Sequence, residues 1–404
     1  MAQIYSPGSA GTVESCSGST SSVDLTACYE NGLTAGSSEW FSGLVTYVDV
    51  AALSDDLAMV AYYDSTADRV KAVGINISAA GGLSVTNEIT IADNYQTYPS
   101  CAVFKLSSTK AIICYYPDHQ RIDLIAVELV AGTLQTQGSP ITLTTSTGYC
   151  TAYQKAENSV VFFYGTLQTT HIVTVGYDGS TLVESRRQTF SNTSGGSSQI
   201  AVYPLSTDLV LLLIDGYDGS SSRFDFQVIQ FLPGDTGKVS LFSLSNDPRR
   251  PFITRISATR YICGARQAGS DEASIVLIDI VDRPLNQDGS VKTPAYEPVV
   301  LSTISTLNSG ESYDFASDSI QFLTAKPAVG RPDIGKSILF EHLDDNSGVA
   351  FYGLTTTGDT LTYTGPTLIT SQQLHGAVDL LDSTTAILAG VNASNALTAL
   401  RIPL

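Results

Sequence analysis

An all-β fold, a seven-bladed β-propeller of four-stranded antiparallel blades closed by an N-terminal strand, is predicted by three observations on the sequence. A self-similar segment returns about every 50 residues, each unit carries four strand signals, and the last unit stops at its third strand. Composition agrees: of 404 residues 43% are hydrophobic and only 15% charged, with 33 Gly and 20 Tyr against two Met and one Trp. Such a chain suits turn-rich β structure better than helix.

The clearest unit starts at Leu53-Ser-Asp-Asp-Leu-Ala-Met-Val-Ala-Tyr-Tyr-Asp and returns as Leu106-Ser-Ser-Thr-Lys-Ala-Ile-Ile-Cys-Tyr-Tyr. Looser copies begin at Lys155, Leu205, Ile256 and Leu381. The anchors 53, 106, 155, 205 and 256 lie 53, 49, 50 and 51 residues apart. The remaining gap, 125 residues from 256 to 381, holds one further unit and its insertions. Its second strand is placed at Lys336-Ser-Ile-Leu-Phe-Glu-His-Leu, with residues 320–325 as the alternative; both give seven units.

Within a unit, a first strand runs into the anchor and a four-residue polar turn leads to a second strand that is apolar throughout. Continuous apolarity means that both faces are covered. A third strand follows in the clear cases (70–78, 122–130, 224–232), then a Gly-containing turn and a polar fourth strand such as 83–91. Inner strands covered on both sides and a wetter outer strand describe propeller blades, whose neighbours bury one another's faces. Residues 1–45 are then expected to supply the missing strand of the last blade, from 22–29 or 39–45, and 46–404 to form the ring, one domain overall. Closure removes an open strand edge. Trp40 is expected to pack in that seam.

Six cysteines (16, 28, 101, 114, 150 and 263) are too sparse for a disulfide framework and lack a CxxC pair, so free thiols are expected. Symmetry about Ser107-Ser108 places Cys101 opposite Cys114 across a hairpin. The first residues have no basic and apolar leader, which fits synthesis in a cytoplasm. A formal charge of −18 without a basic cluster argues against nucleic acid, and the apolar runs are too short to insert in a bilayer.

Propeller topology puts the turns between second and third strands on one face with the blade-to-blade connections. These loops are longer and richer in aromatic and polar groups than those of the opposite face. The candidate ligand-binding set is therefore Tyr63, Asp64, Tyr95, Tyr98, Asp118, Arg121, Tyr217, Asp218 and Arg266, with Tyr116 beside them. Turn chemistry alone also favours several of these residue types. Two insertions, 282–294 and 326–335, fall in neighbouring units and offer a docking patch for another subunit.

Catalytic motifs are not found. His119, His171, His342 and His375 sit in different units without metal-ligand spacing, and there is no GxSxG elbow, P-loop or GxGxxG after a strand. Sialidase Asp boxes and WD or kelch signatures are also missing. Paired carboxylates of a glycoside hydrolase stay open as the enzymatic alternative. No cofactor is implied beyond Ca²⁺, for which the Asp-rich turns 215–219 and 282–289 offer oxygens without the alternation of an EF-hand loop.

The string from Leu106 to Tyr116, followed by an apolar strand and Gly132-Thr-Leu-Gln-Thr-Gln-Gly-Ser-Pro-Ile-Thr-Leu, resembles the "LSSTKVLVCY … GTTITxGxPxxF" repeats of virion and tail-fibre proteins of marine tailed phages. The likeness covers units one and two well and units four and seven more loosely. It implies a non-enzymatic virion protein, tail- or fibre-associated, that attaches to a host surface glycan or protein. By implication it is oligomeric among other virion proteins. The motif marks strands and carries no site residue over. A purely architectural role, as capsid decoration or tail adaptor, is the other non-enzymatic reading.

Overall fold

The computed structural model describes residues 33–34, 45–64, 66–78, 82–93, 101–118, 121–144, 150–165, 169–191, 200–217, 222–232, 235–245, 248–267, 273–307, 320–323, 337–342, 349–369, 375–381, 385–391 and 397–403. Among them the chain is all-β and forms a succession of antiparallel sheets, numbered here in chain order. Sheet one contains Val45–Ser54, Leu57–Asp64, Arg69–Ile77 and the short strands Leu83–Val85 and Ile89–Asp93. Sheet two is Cys101–Lys105, Lys110–Asp118, Arg121–Val130 and Thr133–Thr144; sheet three is Cys150–Ala156, Ser159–Gly165, Thr169–Tyr177 and Leu182–Ser191. Sheet four follows with Ile200–Ser206, Leu209–Tyr217, Ser222–Leu232 and Asp235–Ser245, and sheet five with Pro248–Arg255, Arg260–Gln267, Ala273–Asp282 and Tyr296–Leu307. Sheet six is Ile320–Leu323, Ser337–His342, Val349–Thr357 and Thr360–Ile369. Sheet seven is His375–Leu380, Thr385–Val391 and Leu397–Pro403, with Leu33–Thr34 as its fourth strand.

The apolar second strands have the expected cause. Every residue of Leu57–Asp64 is buried, because alternate side chains enter different cores. Val60 and Ala58 pack with Ile387 and Ala389 of sheet seven, whereas Met59 and Ala61 pack with Val103 and Ile113 of sheet two. The same division repeats onward. Phe104 and Ile112 of sheet two meet Phe162 and Val173 of sheet three, with the rings of Phe104 and Phe162 edge-on at 5.3 Å. Phe163 meets Leu212 of sheet four, and Leu211 meets Cys263 of sheet five.

Polar ties reinforce some of these joints. Asp379 of sheet seven accepts the Ala52 N–H at 2.8 Å, Asp49 of sheet one accepts that of Val103 at 2.6 Å, and Gln154 of sheet three donates to the Leu106 carbonyl at 3.0 Å. The first two join the first strands of adjacent sheets, and the third joins a first strand to the turn that follows its neighbour's first strand. Sheets five and six are tied instead by Arg260, which reaches the Gly358 carbonyl and Asp359, and by Leu361 N–H on Ser302 Oγ. Ile320–Leu323 of sheet six lies beside His375–Leu380 of sheet seven.

Several expectations are revised. The strand added to Leu397–Pro403 is Leu33–Thr34, paired Leu33 with Ala399 and Thr34 with Thr398, between the two segments expected to supply it. Residues 22–29 and Trp40 lie outside the described residues, as do 39–44. Cys101 does not oppose Cys114: the pairs are Cys101 with Tyr115 and Ala102 with Cys114. The turn spans Leu106 to Lys110, whose carbonyl accepts both the Leu106 and Ser107 N–H groups, so the register is one residue away from symmetry about Ser107-Ser108. A one-residue slip reverses the face of each side chain. Cys101 therefore packs toward sheet one and Cys114 toward sheet three.

The outer strand of sheet one is split. Thr86 turns inward, with its Oγ1 accepting the Gly74 N–H at 2.9 Å, and Asn87 reaches across to pair both N–H and carbonyl of Leu134 in sheet two. In unit six, Ser337–His342 is the second strand and Ile320–Leu323 the first. Gly138 holds φ +70° at a bulge in the outer strand of sheet two, and an added Cβ would stand 2.8 Å from the Ser180 carbonyl oxygen of sheet three. Left-handed backbone and close approach together require glycine there.

Candidate functional site

Topology brings the candidate residues to one end of the sheets, where second strands end and third strands begin. Tyr63 and Asp64 end the second strand of sheet one, Asp118 and Tyr217 end those of sheets two and four, Arg121 opens a third strand, and Arg266 pairs with Ala273 at the same end of sheet five. Only the backbone of Asp118, Tyr217 and Arg266 is described, and Tyr95, Tyr98 and Asp218 lie outside the described residues.

The candidates whose side chains are described are held by local partners. Tyr63 donates to Asp68 Oδ1 at 2.7 Å, and burial followed by that contact pushes its phenol up to about 12. Asp64 is 1% exposed; Oδ1 accepts the N–H groups of Thr66 and Ala67 at 3.1 and 3.0 Å, while Oδ2 receives Lys71 Nζ at 2.9 Å. Arg121 is half-exposed and pairs with Asp123 at 2.8 Å. Tyr116 Oη accepts the Cys150 N–H at 2.6 Å, tying sheet two to sheet three.

A feature unmarked in the sequence reading emerges just inside these loop ends. Tyr62, Tyr115 and Tyr164 each stand nine residues beyond the anchors 53, 106 and 155. Each lies on the face turned toward the preceding sheet. Directly across from them on the third strands are Lys71, Asp123 and His171. The break in the outer strand of sheet one adds Glu88, and the fourth strands of sheets two and three add Thr142 and Arg187.

In sheet one, Lys71 Nζ lies 2.9 Å from both Asp64 and Glu88, and Glu88 also accepts the Tyr62 hydroxyl proton. Burial alone would lower the Lys71 pKa, but the hydrogen bonds and charges of Asp64 and Glu88 outweigh it and hold it above the ordinary lysine value. Burial, followed by the bond to Glu88, drives Tyr62 far upward. In sheet two, Asp123 is 4% exposed and takes the Thr142 hydroxyl at 2.7 Å in addition to Arg121. In sheet three, Arg187 donates to Tyr164 Oη at 2.8 Å and forks onto Glu184 at 2.8 and 2.7 Å. The His171 ring stacks on Tyr164 with centroids 5.0 Å apart, and its Nδ1 is buried without a hydrogen-bond partner. Burial, then the Arg187 charge, lowers its pKa, while burial pushes the Tyr164 phenol up to about 12.

Chemically, each cation of these sets is paired with a carboxylate of its own set. A lysine shared by two carboxylates is a poor proton donor at neutral pH, and Asp64 is closed to substrate. The loop end thus offers polar groups above an apolar stack. Among the described residues no group of three His, Cys, Asp or Glu is placed to hold a metal ion. At the 282–289 turn, Asp288 Oδ1 accepts the Ser290 N–H and hydroxyl, and Asn286 Nδ2 donates to Ser290 Oγ.

No family model matches the chain, and no curated protein sequence does. Solved structures match in shape. Hydrazine synthase of Kuenenia stuttgartiensis aligns at TM-score 0.50 and 11% identity, over 89% of this chain and 95% of that one. A protein from Lactobacillus plantarum aligns at 0.47 and 13%, over 80% and 84%. The WD40 domain of SCAP from fission yeast aligns at 0.45 and 7%, over 89% and 95%. At such identities the likeness concerns architecture alone, and the architecture is all-β and propeller-like, built mainly of four-stranded antiparallel sheets.

Proposed function

We propose that the sheets are the blades of a closed seven-bladed ring and that the chain is a non-enzymatic surface component of a virus particle. In this reading it is tail- or fibre-associated and binds a host surface glycan or protein through the face where second strands end. Closure is supported by the order of shared cores from sheet seven through sheet five, by the contact of sheets six and seven, and by Leu33–Thr34 on the last sheet. The observation that carries binding is the gathering of candidate loop-end residues from sheets one, two, four and five at one end of the sheets, above the buried Tyr62, Tyr115 and Tyr164 with their polar partners. Tyrosines on the loops offer flat faces for sugar rings, and a scaffold that pairs its own charges presents those loops with little reorganisation. The particle assignment is supported by the repeat from Leu106 to Leu143 and its likeness to phage virion repeats.

A glycan array probed with the purified protein, coupled to a hydrolysis assay on host envelope polysaccharide, tests the reading. Retention of an oligosaccharide without turnover is expected, and release of reducing ends overturns it in favour of a glycoside hydrolase. Imaging of the particle gives the second check, since a position on the capsid shell far from the tail removes receptor binding. One observation favours an architectural reading beside it: the 282–294 insertion presents Leu285 at 58% and Val291 at 65% exposure. That pair suits docking to another protein of the assembly. Leu285→Asp with Val291→Asp is expected to lower incorporation into particles under that reading and to leave glycan retention intact.

A further inference from the structure

Cys114 and Cys150 face each other across the joint between sheets two and three. Cys114 is fully buried on the side of sheet two that packs against sheet three. Cys150 opens the first strand of sheet three opposite Tyr164, a partner whose side chain points into the same core. Cys150 packs against the core that contains Cys114, and the two thiols interact across the joint. Tyr116, two residues from Cys114 on the same face of its strand, fixes the Cys150 N–H at 2.6 Å. Both thiols are free, and they differ in access: Cys150 is partly exposed, Cys114 is not. The other described cysteines lack this arrangement, since Cys101 packs toward sheet one and Cys263 lies between sheets four and five.

We propose that Cys114 and Cys150 form a redox-modification site, closed to an inter-sheet disulfide by a low-molecular-weight disulfide such as oxidised glutathione. The Cys150 thiolate attacks the glutathione disulfide, forming a mixed disulfide and releasing one glutathione thiolate, which takes up a proton. Cys114 then loses its proton and attacks the Cys150 sulfur, and the second glutathione leaves as thiol. Two electrons pass from the protein to glutathione disulfide, and the two thiol protons end on two glutathione molecules. The buried thiol needs no solvent access, because its oxidant arrives on Cys150. Burial, followed by the contact with Cys150, raises the Cys114 pKa, which keeps it protonated and inert until that partner is activated. The cross-link joins neighbouring sheets that are otherwise held by packing and a few hydrogen bonds. It converts a chain made under reducing conditions into a clamped one on exposure to oxidising surroundings. The inference stands apart from whether the loop face binds a glycan.

The test is incubation of the full chain with oxidised glutathione, alkylation of the remaining thiols, and peptide mapping by mass spectrometry. A peptide linked through Cys114 and Cys150, two hydrogens lighter than its separate halves, is expected. Its formation should raise the thermal midpoint by about 5 °C, reversed by reductant and abolished in Cys150→Ser. Full alkylation of both residues after oxidation, a persistent glutathione adduct on Cys150, or a link through Cys101 or Cys263 instead, overturns the proposal. The map of the unsubstituted chain decides this without any variant.

Discussion

Sheets one and three solve the same problem with opposite chemistry. At matching positions, sheet one sets Tyr62, Lys71 and Glu88 and sheet three sets Tyr164, His171 and Arg187. In sheet one the cation lies on the inner third strand, with side chains of Lys71 and Asp64 only 9% and 2% exposed. In sheet three the permanent cation moves out to the fourth strand, where Arg187 and Glu184 are 32% and 34% exposed. The difference teaches that this position in the repeat tolerates changes of charge provided that a tyrosine hydroxyl and a counter-charge move with it. The energetic consequence of breaking each set should differ accordingly.

The largest effect is expected for Lys71→Met. It strands Asp64 and Glu88 without their cation in a dehydrated site, and removal of one partner of a buried ion pair costs about 3–5 kcal/mol. Arg187→Met in the wetter set should cost about 1 kcal/mol or less. Urea unfolding of both variants checks the ratio, and equal losses would show that exposure does not distinguish the two sets. A second contrast lies between joints. Asp379→Ala leaves the buried Ala52 N–H unpaired between sheets seven and one, at an expected cost of about 1–3 kcal/mol. Asp359→Ala between sheets five and six removes a carboxylate that is 67% exposed and should change stability by less than about 1 kcal/mol. The same unfolding measurement ranks them.

How much of this was visible beforehand depends on whether the signal is local. The period of the units and their four strands were legible because a second strand covered on both faces must be apolar throughout, as 57–63 and 209–214 are. The register at Cys101 was not, since it hangs on which N–H groups the Lys110 carbonyl takes. The break in the outer strand at Thr86 to Glu88 was hidden for a related reason: Thr86, Asn87 and Glu88 each serve a different remote partner. Of the candidate site, its end of the sheets was readable from topology. That Tyr63, Asp64 and Arg121 are engaged by Asp68, Lys71 and Asp123 was not. One signal was present, a lone lysine in the apolar run Val70-Lys-Ala-Val, which only a buried counter-charge makes tolerable.

The two sets should also part company with pH. Lys71 has a folded-state pKa above its ordinary 10.5, so its contribution is complete below that value and is lost as pH rises through the raised one. Tyr62 acts in the same direction, because the unfolded chain ionises its phenol at lower pH than the folded one does. His171 runs the other way. Its folded-state pKa lies below the ordinary 6.5, so the unfolded chain takes up a proton first as pH falls. The contribution of the neutral, stacked ring is complete above 6.5 and is lost as pH falls through the lowered value. This is the smallest of the expected effects, and other carboxylates titrate nearby in pH, so the informative quantity is a difference. Thermal midpoints of the wild type and of His171→Phe, which keeps an aromatic ring on Tyr164, should run parallel above 6.5 and converge below it. Parallel curves throughout would mean that the ring is equally at ease charged and neutral. The buried Nδ1 would then have found a partner on protonation, and the likeness between sheets one and three would extend to a shared use of cations.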